Sequence, residues 1–306
     1  MCKKLFLIFL IAAFPAFAYS QKYAEEYVQL GIKQVKLGYP DEAMKSFSKA
    51  ILLDPKHPEA WYNRGLLYFN MQEFQKALLD YNKAIKLRPK QPEVLFQRAI
   101  AYNATNNYKL AIADLLKVLS VDSLYTDARF TLGLIHFEQL DYALALHEFD
   151  VYVRQNPENA KGYYQRGLTN HYLKDYFAAI RDFDKAVSIV PDNAEYWSSR
   201  GVCKASIGYF YAAISDFNEA IKFDGDYTEA YSNRALAYFN VLKYTEAETD
   251  YTHVITADPA ASDAWTGRAL CRFALNKTQE GCADLEESAA LGNTMAAGLL
   301  AKYCKD

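Results

Sequence analysis

The side chains best suited to chemistry are five cysteines and five histidines. Cys203, Cys271, Cys282 and Cys304 could supply thiolates or disulfides, and four cysteines allow three complete pairings that spacing alone does not separate. Cys282 and Cys304 flank Gly292 almost symmetrically, so antiparallel helices joined there would bring them together. Cys271 and Cys282 are similarly placed about Asn276. The first choice is Cys282–Cys304, clipping a last helix, and reduced core cysteines are the competing reading. Thiol catalysis would need an exposed cysteine of lowered pKa, which helix-interior positions do not favour. His57, His136, His147, His171 and His253 share no spacing that gathers a carboxylate or cysteine into a ligand set, so no metal is expected. No nucleophile elbow, phosphate loop or paired-carboxylate motif occurs. The expectation is a protein without cofactor or enzymatic activity.

Arginine and aspartate recur more regularly. Arg64, Arg98, Arg166, Arg200, Arg234 and Arg268 each precede an aspartate by 16 residues: Asp80, Asp114, Asp182, Asp216, Asp250 and Asp284. The recurrence has a period of 34 residues, set by starts at 24, 58, 92, 126, 160, 194, 228 and 262. Arginine occupies the seventh place of six repeats and aspartate the twenty-third. Repeat one has Leu30 and Ser46 there, and repeat four has Leu132 and Glu148. Both places lie equally far from the turn inside the repeat, so antiparallel helices set them opposite one another. The expectation is a structural ion pair in each of the six repeats. Losing one partner would cost on the order of 3 kcal/mol if half-buried and under about 1 kcal/mol if exposed.

The elements that hold these residues are amphipathic helices. In residues 58–91, Trp61, Arg64, Gly65 and Tyr68 share one helical face, as do Ala77, Tyr81, Ala84 and Ile85, before Pro89 forbids further helix. Such a pair cannot bury its apolar face alone and needs neighbouring copies. The eighth place is small throughout (Gly31, Gly65, Ala99, Gly133, Gly167, Gly201, Ala235, Ala269) and the twenty-fourth is large (Phe47, Tyr81, Leu115, Phe149, Phe183, Phe217, Tyr251, Leu285), an alternation that fills a core without voids. Tyr152 stands where most repeats have alanine and is expected to spread or redirect the helices locally. Met295–Cys304 reads as an extra helix covering the last repeat.

The pattern W-x-x-x-G-x-x-Y followed by A, Y, A and P, carried by Trp61, Gly65, Tyr68, Ala77, Tyr81, Ala84 and Pro89, resembles the tetratricopeptide repeat. The resemblance covers residues 24 to about 295. It implies an all-α fold, an α-solenoid of eight 34-residue helix-turn-helix repeats with a C-terminal capping helix, wound as a right-handed superhelix. It also implies that first helices line a groove that holds a protein or peptide, without chemistry. In that geometry Tyr62, Asn63, Phe69, Phe96, Gln97, Asn103, Phe130, Phe137, Tyr164, Gln165 and His171 are the candidate groove residues, aromatic anchors flanked by amides. The competing reading is that these rings pack helix on helix. Some members bind a terminal carboxylate through basic groove residues, but the second place here is mostly acidic (Glu25, Glu59, Glu93, Asp127, Glu195, Glu229, Asp263). Those acids complement helix N-termini, and that clamp is absent.

Met1–Lys4 is basic, Leu5–Phe17 is apolar and Ala16-Phe17-Ala18 resembles a cleavage site, so residues 1–20 are expected to be a signal peptide. That leaves residues 21–295 for the repeats and 295–306 for the cap. The membrane is then met only in transit, and the location is periplasmic or extracellular, in a bacterial envelope. The formal charge of −3 becomes −5 when two lysines leave with the signal, which offers nucleic acid no footprint. The 51% hydrophobic content suits a continuous core. Two alternatives remain beside the binding scaffold: a thiol-active enzyme built on the C-terminal cysteines, and a structural spacer in an envelope assembly.

Overall fold

The computed structural model describes residues 2–304, with side chains from Tyr19 onward. Most of the expected signal peptide therefore lies outside the residues whose side chains are described. Among the described residues seventeen helices follow one another: α1 (Cys2–Lys36), α2 (Pro40–Leu53), α3 (Pro58–Asn70), α4 (Phe74–Leu87), α5 (Pro92–Ala104), α6 (Tyr108–Val121), α7 (Thr126–Glu138), α8 (Tyr142–Gln155), α9 (Ala160–Tyr172), α10 (Tyr176–Ile189), α11 (Ala194–Ser206), α12 (Phe210–Phe223), α13 (Thr228–Asn240), α14 (Tyr244–Ala257), α15 (Ser262–Ala274), α16 (Thr278–Ala290) and α17 (Thr294–Tyr303). No strand occurs among the described residues. Among them, too, no helix is long and apolar enough to cross a membrane. Two compact units divide the chain, residues 1–139 and 140–306, and the division falls in the turn of repeat four.

Local chemistry fixes where each helix stops and starts. Pro58 and Pro92 open α3 and α5 at the first helical position, where a missing N–H costs nothing. Asn159 and Asn193 cap α9 and α11 by accepting from the Gly162 and Tyr196 amides. Each hairpin then reverses on one left-handed residue at the fifteenth place: Gly38, Gln72, Asn106, Leu140, Lys174, Gly208, Leu242 and Asn276 all have positive φ. The turn after α3 closes through Glu73 N–H to the Tyr68 carbonyl at 2.8 Å, satisfying an orphan acceptor. Leu140 and Leu242 adopt φ 63°, where a bulky side chain is strained.

Between paired helices the eighth and twenty-fourth places meet. A Cβ on Gly65 would lie 2.7 Å from the Tyr81 ring, and one on Gly201 2.7 Å from the Phe217 ring. Glycine is required there by close approach. Repeat seven has Ala235, and its Tyr251 ring instead rests on Gly267 of the next repeat. The expected spreading by Tyr152 has a different outcome: the ring is buried against Gly162, where a Cβ would come within 2.7 Å. The absent side chain of Gly162 makes the room that the extra ring needs.

Candidate functional site

The six arginines lie where a first helix meets two second helices. Arg64 binds Asp80 through Nε and Nη2 at 2.7 and 2.9 Å, and Arg98 binds Asp114 at 2.7 and 2.8 Å. Arg166–Asp182, Arg200–Asp216, Arg234–Asp250 and Arg268–Asp284 repeat this two-pronged bond. Each aspartate is buried. The remaining Nη1 reaches back to the preceding repeat: to Ser48, Asn82, Asp150, Asp184, Asn218 or Thr252. Every such partner is again 16 residues away, so each guanidinium ties its own hairpin to the previous one. These pairs are a brace for the fold.

The rings at the fifth place of the first helices pack inward. Tyr164 is only 8% exposed, lies 4.8 Å from Tyr196 and 5.8 Å from Phe183, and donates to Glu195 at 2.6 Å. It is a packing residue and not an accessible anchor, because the next first helix closes over it. Phe96 lies 5.2 Å from Tyr125, and Tyr62 6.2 Å from Tyr81. At the twelfth place Phe69 closes its own hairpin against Phe74 at 5.3 Å. Asn63 donates to its own helix at Glu59 O, 2.8 Å. Gln97, Asn103, Phe130 and Phe137 are half-buried on α5 and α7, and Gln165 on α9.

The second unit opens two clefts on its first-helix face. The smaller, about 130 Å³, is lined by Leu168, His171 and Val202 over Phe183. The His171 Nδ1 lies 3.3 Å from Cys203 Sγ, and burial lowers its pKa. The larger cleft, about 210 Å³, lies one repeat further, with Val202, Ala205 and Leu236 around a floor that includes Phe210, and Asn233 and Asn240 beside it. Its cause is visible in the repeat: four other repeats carry a ring at the twelfth place, Phe69, Phe137, Phe239 and Phe273, and Ala205 leaves that ring's volume empty. A tally of aromatic side chains does not signal this cleft, because a missing ring creates it.

The remaining chemistry is quiet. Cys282 and Cys304 form a disulfide with Cα atoms 5.8 Å apart, tying α17 to α16. Cys203 and Cys271 are buried, and burial pushes both thiols up to about 12, so neither offers a thiolate near neutrality. Glu25, His57 and Glu59 approach within 4.8 Å of one another, but Gln29 and His57 bond Glu25 while Arg88 holds Glu59 at 2.8 Å. The cluster reads as an ion-pair network joining the first two repeats.

Stacked helix hairpins with braced cores and an apolar, amide-edged face define a helical-repeat interaction protein. The chain belongs to the tetratricopeptide repeat family: models described as "Tetratricopeptide repeat" match residues 58–91, 96–160, 160–193 and 232–296, and one described as "TPR repeat" matches 33–72. A tetratricopeptide repeat protein from Parabacteroides merdae superposes with a TM-score of 0.59 at 18% identity, over 82% of this chain and 99% of that one. The C-terminal part of a repeat protein from Cytophaga hutchinsonii gives 0.69 at 17% identity, over 78% and 98%. YrrB, described as having an unusual peptide-binding site, gives 0.54 at 22% identity, over 60% and 95%. No curated protein matches the chain significantly. The family places this chain among protein–protein interaction scaffolds.

Proposed function

We propose that the chain is an exported scaffold that holds an extended segment of a partner polypeptide along α9, α11 and α13. The observation that carries this reading is the pair of clefts on either side of Val202, about 130 and 210 Å³, set one repeat apart on one face. Successive apolar side chains of one extended segment would enter them, and the Asn233 amide would meet its backbone. Apolar hollows of this kind on an exposed face fit a docking role, because covering them removes hydrocarbon from water. The apolar run Leu5–Phe17 after Lys3 and Lys4 supports export into a bacterial envelope.

The test is Ala205→Phe in residues 21–306, a residue that the same place carries in four other repeats, as Phe69, Phe137, Phe239 and Phe273. Filling the cleft should abolish capture of the envelope partner while leaving the thermal midpoint unchanged. Undiminished capture by the folded variant would overturn this site.

A further inference from the structure

The six braced arginines differ in what covers the guanidinium. Arg64 lies between two rings, Trp61 at 5.1 Å and Tyr68 at 5.7 Å. Arg234 lies between Tyr231 at 5.2 Å and Tyr238 at 5.8 Å. Arg98 has Tyr102 at 5.7 Å. Tyr68, Tyr102 and Tyr238 each come from four residues further along the helix, the eleventh place. Repeats six and eight put long cations there, and Lys204 and Arg272 reach Asp216 and Asp284 at 2.8 and 2.7 Å.

Repeat five alone among these has a short residue, Asn170. Its amide donates to Asp182 Oδ2 at 2.9 Å and stays buried. Arg166 keeps one ring, Tyr163 at 5.6 Å. Where a tyrosine would lie there is a cleft of about 430 Å³, lined by Leu146, Tyr163, Arg166, Ala178 and Arg181 among others. That volume falls in the range of small-ligand sites. Asp150 and Asp182 are already bonded to Arg166. Arg181 is exposed at the rim and has no ion pair among the described residues.

We propose that this cleft binds an aromatic group that carries a carboxylate. The ring takes the stacking position over Arg166 that Tyr68, Tyr102 and Tyr238 fill in their own repeats. The carboxylate pairs with Arg181, the one cation of the cleft left uncommitted. Arg166 and Leu168 are two residues apart, about 200° around α9, so this cleft lies away from the face proposed for the partner segment. A free aromatic acid and a polypeptide ending in tyrosine or phenylalanine share this chemistry.

Calorimetric titration of residues 21–306 with N-acetyl-tyrosine, and separately with a Gly-Ser peptide ending in tyrosine, tests it. At least one probe should bind. Binding by both assigns the shared chemistry, and binding by the peptide alone assigns a polypeptide source. Asn170→Tyr supplies the missing ring from the chain itself and should abolish binding. Arg181→Glu, a change at an exposed site that leaves the fold intact, should weaken it at least about tenfold by setting two anions together. Failure of both probes with wild type, or undiminished affinity in Arg181→Glu, would overturn the proposal.

Discussion

Arg200 Nη1 donates to Asp184 Oδ1 at 2.6 Å, sixteen residues back in the preceding repeat, while Nε and Nη2 hold Asp216 sixteen residues ahead at 3.0 and 2.7 Å. The Asp216 side chain is 3% exposed and that of Asp184 is 52% exposed. The same guanidinium therefore makes one bond out of water and one in it. The rule holds by exception too. Repeat four has Leu132 in place of arginine, and the residue sixteen before it is Leu116, with no polar group to offer.

Because of that difference in burial, Asp216→Ala should destabilise the protein by about 3 kcal/mol, since it leaves the half-buried Arg200 guanidinium with only its solvent-exposed partner Asp184 and takes the ion pair from Lys204 as well. Asp184→Ala should cost under about 1 kcal/mol. Urea denaturation of the two variants measures both. Equal losses would contradict the assignment of Asp216 as the structural partner.

Gly201 and Phe217 make a second matched pair. Adding a methyl at Gly201 places it 2.7 Å from the Phe217 ring, and Gly201→Ala should cost about 1–3 kcal/mol by overpacking. Repeats three and eight carry the combination Ala99 with Leu115 and Ala269 with Leu285. Adding Phe217→Leu to Gly201→Ala should therefore recover part of the loss, and a double-mutant cycle reads the coupling. Strict additivity would show that the two places do not pack as a unit.

Much of this was legible in the sequence. The period of 34 placed the starts at 58, 92 and 126, and α3, α5 and α7 begin at Pro58, Pro92 and Thr126. The forward spacing from Arg200 to Asp216 was visible because both belong to one hairpin. The backward bond to Asp184 is not legible within one hairpin, since it depends on how one hairpin seats on the next. The binding face was the least legible part. Tyr164 has the composition of an anchor yet is covered by Tyr196, whereas the cleft at Ala205 comes from a side chain that is missing. Counting rings finds the first and overlooks the second.

His171 supplies a pH dependence with a definite sign. Burial holds its imidazole below the ordinary value of 6.5. The unfolded chain takes up a proton as the pH falls through 6.5 while the folded chain does so only at lower pH, so this contribution is complete above 6.5 and is lost on acidification. Wild-type urea midpoints should fall more steeply than those of His171→Phe between about pH 7.5 and about pH 5.5. Parallel profiles would contradict a half-buried imidazole held neutral by desolvation.

The most direct test of the central claim is site-specific photo-crosslinking in envelope extract, with the reactive group at Leu236 beside the Ala205 cleft or at Ser215 on the outer side of α12. A scaffold that holds its partner along the first helices gives an adduct from position 236, none from position 215, and no adduct from 236 once Ala205→Phe fills the cleft. An adduct from 215 as strong as that from 236, or one from 236 that survives the filled cleft, would place the partner elsewhere.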